Sequence, residues 1–418
     1  MIYWRQRSML YSNASLQVIL PHLTAGSPSA ALAGGQNAIA HNSGSSQPDS
    51  AMKIGLVTLG DPRRNDTWSG TPYSIFTELS KRHEVDWLDP GGMDTRAIDL
   101  YHKAMGRLTG RTVRSYSTRR FASALGRNLR RYELEEYDLL LSIGSSEITH
   151  LETAVPIVHL TDATYAQMVH YYDGFDMNEK RNRDADEIQR KAYEASTQLI
   201  FASSWAARSA MNDYDVPEEK INVLHFGANQ EAPAELVEWD HGEKLRLLFV
   251  GKEYERKGGD IAKDAVNALR AQGIDASLTM VGCRVSSDVQ ASPGLRALPF
   301  IQTISTFFRE ADIFILPTRA EAAGIVFCEA SAYGLPSFTT DTGGVPDYVE
   351  DGVNGRLLSL DATGDDFADA IIELWGDEEA MESMRLSARR RYEEELNWDV
   401  WMQRFEEIAQ KALTASKG

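Results

Sequence analysis

The feature that most restricts how this chain can fold is a repeated alternation of short apolar runs with longer helical stretches. It occurs twice along the sequence. The first series has runs at 54–59, 85–88, 139–143, 157–160 and 199–202, with segment 221–229 closing it. Helical stretches lie between them: one ending near 82, a long one leading to 137, and one around 181–196. The pattern restarts at 245–251 and continues through 277–281, 312–316 and 336–339, and helices from about 365 close the chain. A run that is apolar on both faces needs cover on both, which crossover helices give to a parallel sheet. The expected class is therefore α/β, with two doubly wound, Rossmann-like domains facing across a cleft. Residues 52–232 form the first domain and 233–395 the second, joined at the polar segment 233–243. A C-terminal helix at 396–418, carrying Trp398 and Trp401, is expected to pack back toward the first domain. Ligands of such sheets bind outside the carboxyl ends of the strands.

Residues 1–51 differ in composition. They are rich in Ser, Ala, Gly and Asn and nearly uncharged, which predicts a disordered extension. Met52-Lys-Ile-Gly-Leu-Val57 reads as a translation start running directly into the first strand. The net charge of −18 argues against nonspecific nucleic-acid binding over the surface. Cys283 and Cys328 sit in apolar surroundings and read as small core residues, which fits a reducing compartment. No apolar run approaches the roughly 18 residues that span a bilayer. The expected location is the cytoplasm, with peripheral contact at the inner face of a membrane.

The apolar run at 312–316 leads into Glu321, and a helix opening near Gly324 carries Glu329 about 1.4 turns further on. The first N–H groups of a helix have no intrahelical acceptor and lie at its positive end, so Gly324, Ile325 and Val326 suit a diphosphate. A carboxylate stands before these donors and another beyond them, placed to grip sugar hydroxyls on either side of a diphosphate. Two glutamates at this spacing also occur on any acidic helix, so the surrounding residues decide.

Those residues form a series: Val250-Gly-Lys-Glu-Tyr-Glu-Arg-Lys-Gly258, Val281-Gly282, Ala311-Asp-Ile-Phe-Ile-Leu-Pro317, Glu321 with Glu329, Gly334-Leu-Pro336, Gly343-Gly-Val-Pro346, and Asp351-Gly352 with Asn354-Gly355. The series resembles the retaining GT-B glycosyltransferases of the large bacterial group 1 (family 4) type, which include mannosyl- and glucosyltransferases and sucrose synthase. The likeness covers about 245–360 well and 52–229 more loosely, including Phe226-Gly-Ala-Asn229. It implies a GT-B architecture and an enzyme that moves a hexosyl-type sugar from a nucleotide-diphosphate sugar to a glycan or lipid-linked acceptor, with retention of anomeric configuration. No cofactor or metal is implied. Glu329 would bond the donor ribose, Glu321 would lie near the transferred sugar, and the amides of Gly324, Ile325 and Val326 would meet the diphosphate or sugar. The family has an Arg just after the Gly251 equivalent and a Lys five residues later. Lys257 fits the second position, but Lys252 replaces the Arg. A lysine is a point charge and cannot make the bidentate fork of arginine, so Arg256 competes with Lys252 for that role.

In the first domain, Ser69, Gly70 and Thr71 before Pro72 fit a phosphate-facing or acceptor-facing turn, or a plain helix cap. Many relatives carry a His-Asp pair after the strand that follows a proline. Here Pro156-Ile-Val-His-Leu-Thr-Asp162 places Thr161 at the histidine position while Asp162 matches, so Asp162 is the acceptor-side candidate and His159 is not. Glu321, Asp162 and Lys257 are the catalytic candidates. Asp184-Ala-Asp186 lies in a charged helix and reads as a solvated face rather than a metal site. A sugar-nucleotide epimerase and a non-catalytic nucleotide-sugar binder share the fold and stay open. A nicotinamide dehydrogenase does not, because G-x-G-x-x-G is absent after the first run.

Between 103 and 131 stand Lys103, Arg107, Arg111, Arg114, Arg119, Arg120, Arg127, Arg130 and Arg131, with no acidic residue. Phe121, Leu125 and Leu129 fall among them on a helical stretch. The combination suggests contact with an anionic membrane, as interfacial helices make, or else a helical face balanced by acidic neighbours in the fold. A short soluble acceptor fits the same sequence.

Overall fold

The computed structural model describes residues 51–416 apart from 66, 110–113, 176, 240–241 and 302. The extension 1–50 and Arg111 of the basic segment lie outside the described residues.

Each series of apolar runs builds one six-stranded sheet, and every strand pair is parallel. The first contains β1 (Lys53–Thr58), β2 (Glu84–Leu88), β3 (Leu139–Ile143), β4 (Ile157–Thr161), β5 (Gln198–Phe201) and β6 (Ile221–Val223). Its order is β2-β1-β3-β4-β5-β6. The second contains β7 (Lys244–Val250), β8 (Asp275–Val281), β9 (Leu295–Leu298), β10 (Ile313–Leu316), β11 (Ser337–Thr340) and β12 (Gly355–Leu358). Its order is β12-β11-β10-β7-β8-β9. The central strands are buried along their whole length, as in Leu139–Ile143 and Ile313–Leu316, because their side chains are apolar on both faces. The chain reverses direction across each sheet between β1 and β3, and again between β7 and β10. Those two switch points are where a doubly wound sheet opens a crevice.

The first sheet is covered on one face by a cluster that includes Ile75, Leu79, Leu141, Trp401, Phe405 and Ile408. The last helix, Trp398–Ala415, therefore packs on the first domain although it ends the second. Asn397 caps it by accepting the Val400 N–H, and Trp401 stacks on Phe405 with ring centres 5.2 Å apart. The connecting segment is held by two arginines of the helix Glu378–Glu394: Arg385 donates to the Val237 carbonyl, and Arg389 to those of Pro233, Ala234 and Ala332.

The basic segment differs from the expectation of one exposed amphipathic stretch. It contains two helices, Met93–Thr109 and Arg119–Leu129, with a short helical turn at Ser115–Ser117 ahead of the second. In the second helix Phe121, Leu125 and Leu129 are buried in the fold, because apolar residues at steps of four lie on its inward face. Its arginines meet acidic neighbours: Arg119 pairs with Asp184 and Glu187, Arg127 with Asp94, and Arg130 with Glu152. The apolar and basic groups of 119–129 thus do not share an exposed face.

Candidate functional site

The second sheet's switch point brings two distant segments together. Lys257 follows β7 and Glu321 follows β10, 64 residues apart in sequence, and the Lys257 Nζ lies against the Glu321 carboxylate. Both side chains are 13% exposed. Burial, and then the Arg256 guanidinium, pushes Lys257 down to about 7. The Glu253 carboxylate opposes that shift. Gly258 fixes this corner. Its φ is +73°, and a side chain there would enter the Pro317 carbonyl, so only glycine lets the loop after β7 close on the end of β10.

Arg256 occupies the same crevice. It donates to the Ala320 carbonyl at 2.6 Å, pairs with Glu253, and lies 4.0 Å from the Glu321 carboxylate. Lys252 is exposed, its Nζ 5.0 Å from the centre of the Phe300 ring. Of the two candidates for the arginine role, Arg256 is the one beside Lys257 and Glu321.

The helix Ile325–Ala332 begins next to this pair, with Gly324 as its N-cap. Among the described residues no acceptor takes the N–H groups of Gly324, Ile325 or Val326. They remain available to an anion, as the first turn of a helix leaves them. Gly324 is needed here to clear the Phe327 ring, which a side chain would strike. Glu329 lies one turn in, 6% exposed, and its carboxyl accepts the Asn229 N–H. Burial raises its pKa to about 8. Asn229 also ties three parts of the molecule together: its side chain donates to the Ser69 carbonyl at 2.7 Å and accepts from the Ser74 hydroxyl and the Trp398 indole.

The first domain presents its own loops across the cleft. After β1, Trp68, Ser69 and Gly70 have φ of 43°, 55° and 86°, a left-handed turn that feeds the helix Thr71–Leu79 with no side-chain cap. Thr71 is fully buried and its hydroxyl has no partner among the described residues. After β4, Asp162 accepts from the Trp68 indole at 3.2 Å and from the Ala163 N–H, and burial raises its pKa to about 6. His159 points elsewhere. It is fully buried in β4 between the Ser142 carbonyl and the Ser145 hydroxyl, and burial lowers its pKa to about 4.

Three groups at this cleft escape the sequence reading. Tyr171 and Tyr172 reach from the first domain: the Tyr171 hydroxyl accepts the Glu321 N–H at 2.8 Å and sits 2.9 Å from the Thr342 hydroxyl. Tyr172 faces Arg256, with 5.6 Å from guanidinium to ring centre, and its hydroxyl accepts the Ala322 N–H. Neither tyrosine belongs to a motif, so nothing short of the fold signals them. Glu147, after β3, is buried. It accepts from the Ser146 hydroxyl and the Leu59 N–H, and burial raises its pKa to about 7.

A family described as glycosyl transferases group 1 matches residues 244–377, the segment that carries Lys257, Glu321 and Glu329. The chain is 26% identical to the amylovoran biosynthesis glycosyltransferase AmsK of Erwinia amylovora, over 52% of this chain and 57% of that one. It is 23% identical to the putative colanic acid biosynthesis glycosyltransferase WcaL of Salmonella typhimurium, over 73% of this chain and 87% of that one. Among solved structures it resembles HepE of Anabaena in complex with UDP and glucose, with a TM-score of 0.58, 15% identity, and coverage of 86% of this chain and 99% of that one. At that identity the structural likeness speaks for the fold alone. Two parallel six-stranded sheets give the chain a GT-B architecture, and residues 244–377 within it resemble the group 1 glycosyl transferases.

Proposed function

We propose that this protein transfers a sugar from a nucleoside diphosphate sugar to a hydroxyl of a glycan or lipid-linked acceptor, with retention of anomeric configuration. The observation that carries the reading is the Lys257–Glu321 contact at the β7/β10 switch, beside Arg256 and the free amides that open the helix Ile325–Ala332. A diphosphate entering there meets two cations and a helix N-terminus, and it frees the Glu321 carboxylate to accept from sugar hydroxyls. Glu329 is placed to bond the ribose further along the same helix. That HepE is described with UDP and glucose supports a donor of this class.

In the reaction the bond from the anomeric carbon to the diphosphate oxygen breaks, and its electron pair leaves on the diphosphate. Lys257 and Arg256 neutralise the charge that grows there, work that a divalent metal does in other enzymes. The acceptor hydroxyl forms the new bond to the anomeric carbon, and its proton passes to the departing diphosphate oxygen. Asp162 faces the cleft from the first domain and orients that hydroxyl by accepting a hydrogen bond. The names of the amylovoran and colanic acid relatives support a polysaccharide or glycolipid product.

The test is incubation with labelled UDP-, GDP- and ADP-sugars, each with and without an acceptor panel. Transfer should appear with the donor's anomeric configuration kept in the product by NMR, and it should survive EDTA. Inversion at a donor carbon without transfer, or saturable binding without turnover, would overturn the proposal.

A further inference from the structure

The helix Met93–Thr109 carries an exposed face that the fold does not use. Met93 is 87% exposed, Leu100 65%, Tyr101 59% and Leu108 81%. With Ala97 and Ala104, also exposed, they recur at three- and four-residue steps and form one apolar stripe along the helix. Arg96, Lys103 and Arg107, spaced by seven and four residues, line one flank of that stripe, and all three are exposed. The opposite face is the one that packs: Thr95 is buried, and Ile98, His102 and Met105 are half-buried.

The acidic groups near this helix are already engaged. Asp94 accepts from Asn128 and Arg127, and Asp99 pairs with Lys103 and accepts from the Ser115 hydroxyl. Neither Arg96 nor Arg107 forms an ion pair among the described residues. Positive charge also rims the inner side. The ring of His102 is pushed down first by burial, then by nearby Arg181 and Arg120, with Asp99 opposing. In a chain of net charge −18, this is an apolar stripe with cations along one flank, of which Arg96 and Arg107 form no ion pair among the described residues.

We propose that the helix Met93–Thr109 is a docking surface for an anionic lipid bilayer. Its axis lies in the interface, Met93, Leu100, Tyr101 and Leu108 dip into the acyl boundary, and Arg96 and Arg107 meet the headgroups. An interfacial helix needs an apolar face and a basic edge exposed together, and this one has both. The neighbouring helix Arg119–Leu129 has its apolar side chains inside and Arg119 and Arg127 paired with carboxylates, which leaves it a supporting role. The proposal stands independently of the donor reading, since soluble donor and acceptor analogues test turnover without a membrane.

The experiment is co-sedimentation of the full chain with phosphatidylcholine vesicles and with phosphatidylcholine–phosphatidylglycerol vesicles, at low and high salt. Binding should require the anionic lipid and weaken with salt. Arg96→Glu/Arg107→Glu should lower partitioning about tenfold or more, and Leu100→Glu/Leu108→Glu should lower it comparably, both with unchanged melting temperature. Arg404→Glu, the same kind of substitution at one site on the exposed side of the last helix, should bind as wild type. In Tyr101→Trp the emission should shift to the blue when anionic vesicles are added. No binding by wild type, equal binding to neutral vesicles, or unimpaired binding by the two double variants would overturn the proposal. So would a wild-type dimer that the leucine variants convert to monomer, because the stripe would then cover a second copy.

Discussion

The two switch points hold similar elements with opposite electrostatics. In the second sheet the crevice between β7 and β10 brings a carboxylate, Glu321, into contact with Lys257 and within reach of Arg256. In the first sheet the loops after β3 and β4 bring the buried Glu147 and the half-buried Asp162, with no cation paired to either among the described residues. Their partners are a hydroxyl, an indole and backbone N–H groups, and neither forms an ion pair among the described residues. A low-dielectric carboxyl with neutral partners has its pKa raised, and one beside a cation stays ionised. The second crevice is thus arranged for an anion and the first for a neutral hydroxyl. In the proposed transfer reaction one fold used twice would serve both sides, because the loops, not the sheets, set the charge.

The largest effect should come from removing the cation that defines the second crevice. Lys257→Ala is expected to lower kcat/KM by roughly 10²-fold or more, as when a preorganised charge on a developing anion is lost. Turnover should fall more than donor affinity. If steady-state kinetics of the variant match wild type, the two crevices are not distinguished by charge and the contrast fails.

Glu329→Gln sharpens the comparison from the other direction, because this carboxyl sits in the charged domain yet has its pKa raised to about 8 by burial. Its folded pKa lies above the unfolded value of about 4.3. The stability it contributes is therefore complete below pH 4 and is lost as pH climbs toward 8, by on the order of 1.4 kcal/mol per pH unit in that window. Glutamine has no such dependence. Thermal melts should show the variant increasingly more stable than wild type from pH 5 to pH 8, with no difference near pH 4. At pH 9, where Glu329 is ionised, nucleotide affinity should drop roughly tenfold for the lost charge-assisted bond to the ribose. Equal pH slopes for the two proteins would mean that Glu329 ionises as freely as a surface glutamate.

Asp162→Asn tests the first crevice. Asparagine keeps the size, can still accept from the Trp68 indole, and cannot carry charge. Wild-type kcat/KM should rise with pH through about 6 as Asp162 ionises, and the variant should lose that limb and run about tenfold slower. A pH–rate profile of unchanged shape would remove Asp162 from the acceptor side and leave it as a cap for the turn at Ala163.

The sheets were legible because their strands are short apolar runs, and the second crevice was legible because Lys257 and Glu321 sit in a motif series. Three kinds of information were not. The edge strands β9 and β12 are half-exposed, with Leu-Arg-Ala-Leu and Gly-Arg-Leu-Leu offering no clean periodicity, so the runs around them read as loop. The segment leading to 137 read as one helix, and an apolar residue among arginines does not say whether it faces in or out. Phe121, Leu125 and Leu129 went inside, while Leu100 and Leu108, one helix earlier, stayed outside. Finally, partners chosen by closure of the cleft have no local signal. Asn229 reads as the end of a Phe-Gly-Ala-Asn motif and not as the group that joins the Ser69 turn, the last helix and Glu329.

The smallest effect is expected at the seam between the two crevices. Tyr171 lies in the first domain, yet its hydroxyl accepts the Glu321 N–H, stands 3.3 Å from the Glu321 carbonyl and 2.9 Å from the Thr342 hydroxyl. Gly343 presses against it, because a side chain at that position would strike the Tyr171 hydroxyl. Tyr171→Phe keeps the ring on Trp205, 4.9 Å between centres, and removes only the hydroxyl, which accepts the Glu321 N–H and donates to the Glu321 carbonyl. Losing it should cost about 1–2 kcal/mol, the range for a partly buried N–H left without its partner. Because the contact spans the cleft, the loss should appear as weaker closure: a rise of a few-fold in KM for the donor, with a smaller change in kcat and a melting temperature within a few degrees of wild type. A fall in kcat alone would place Tyr171 in the chemistry of the charged crevice instead, and the seam would then belong to one side of the comparison rather than joining the two.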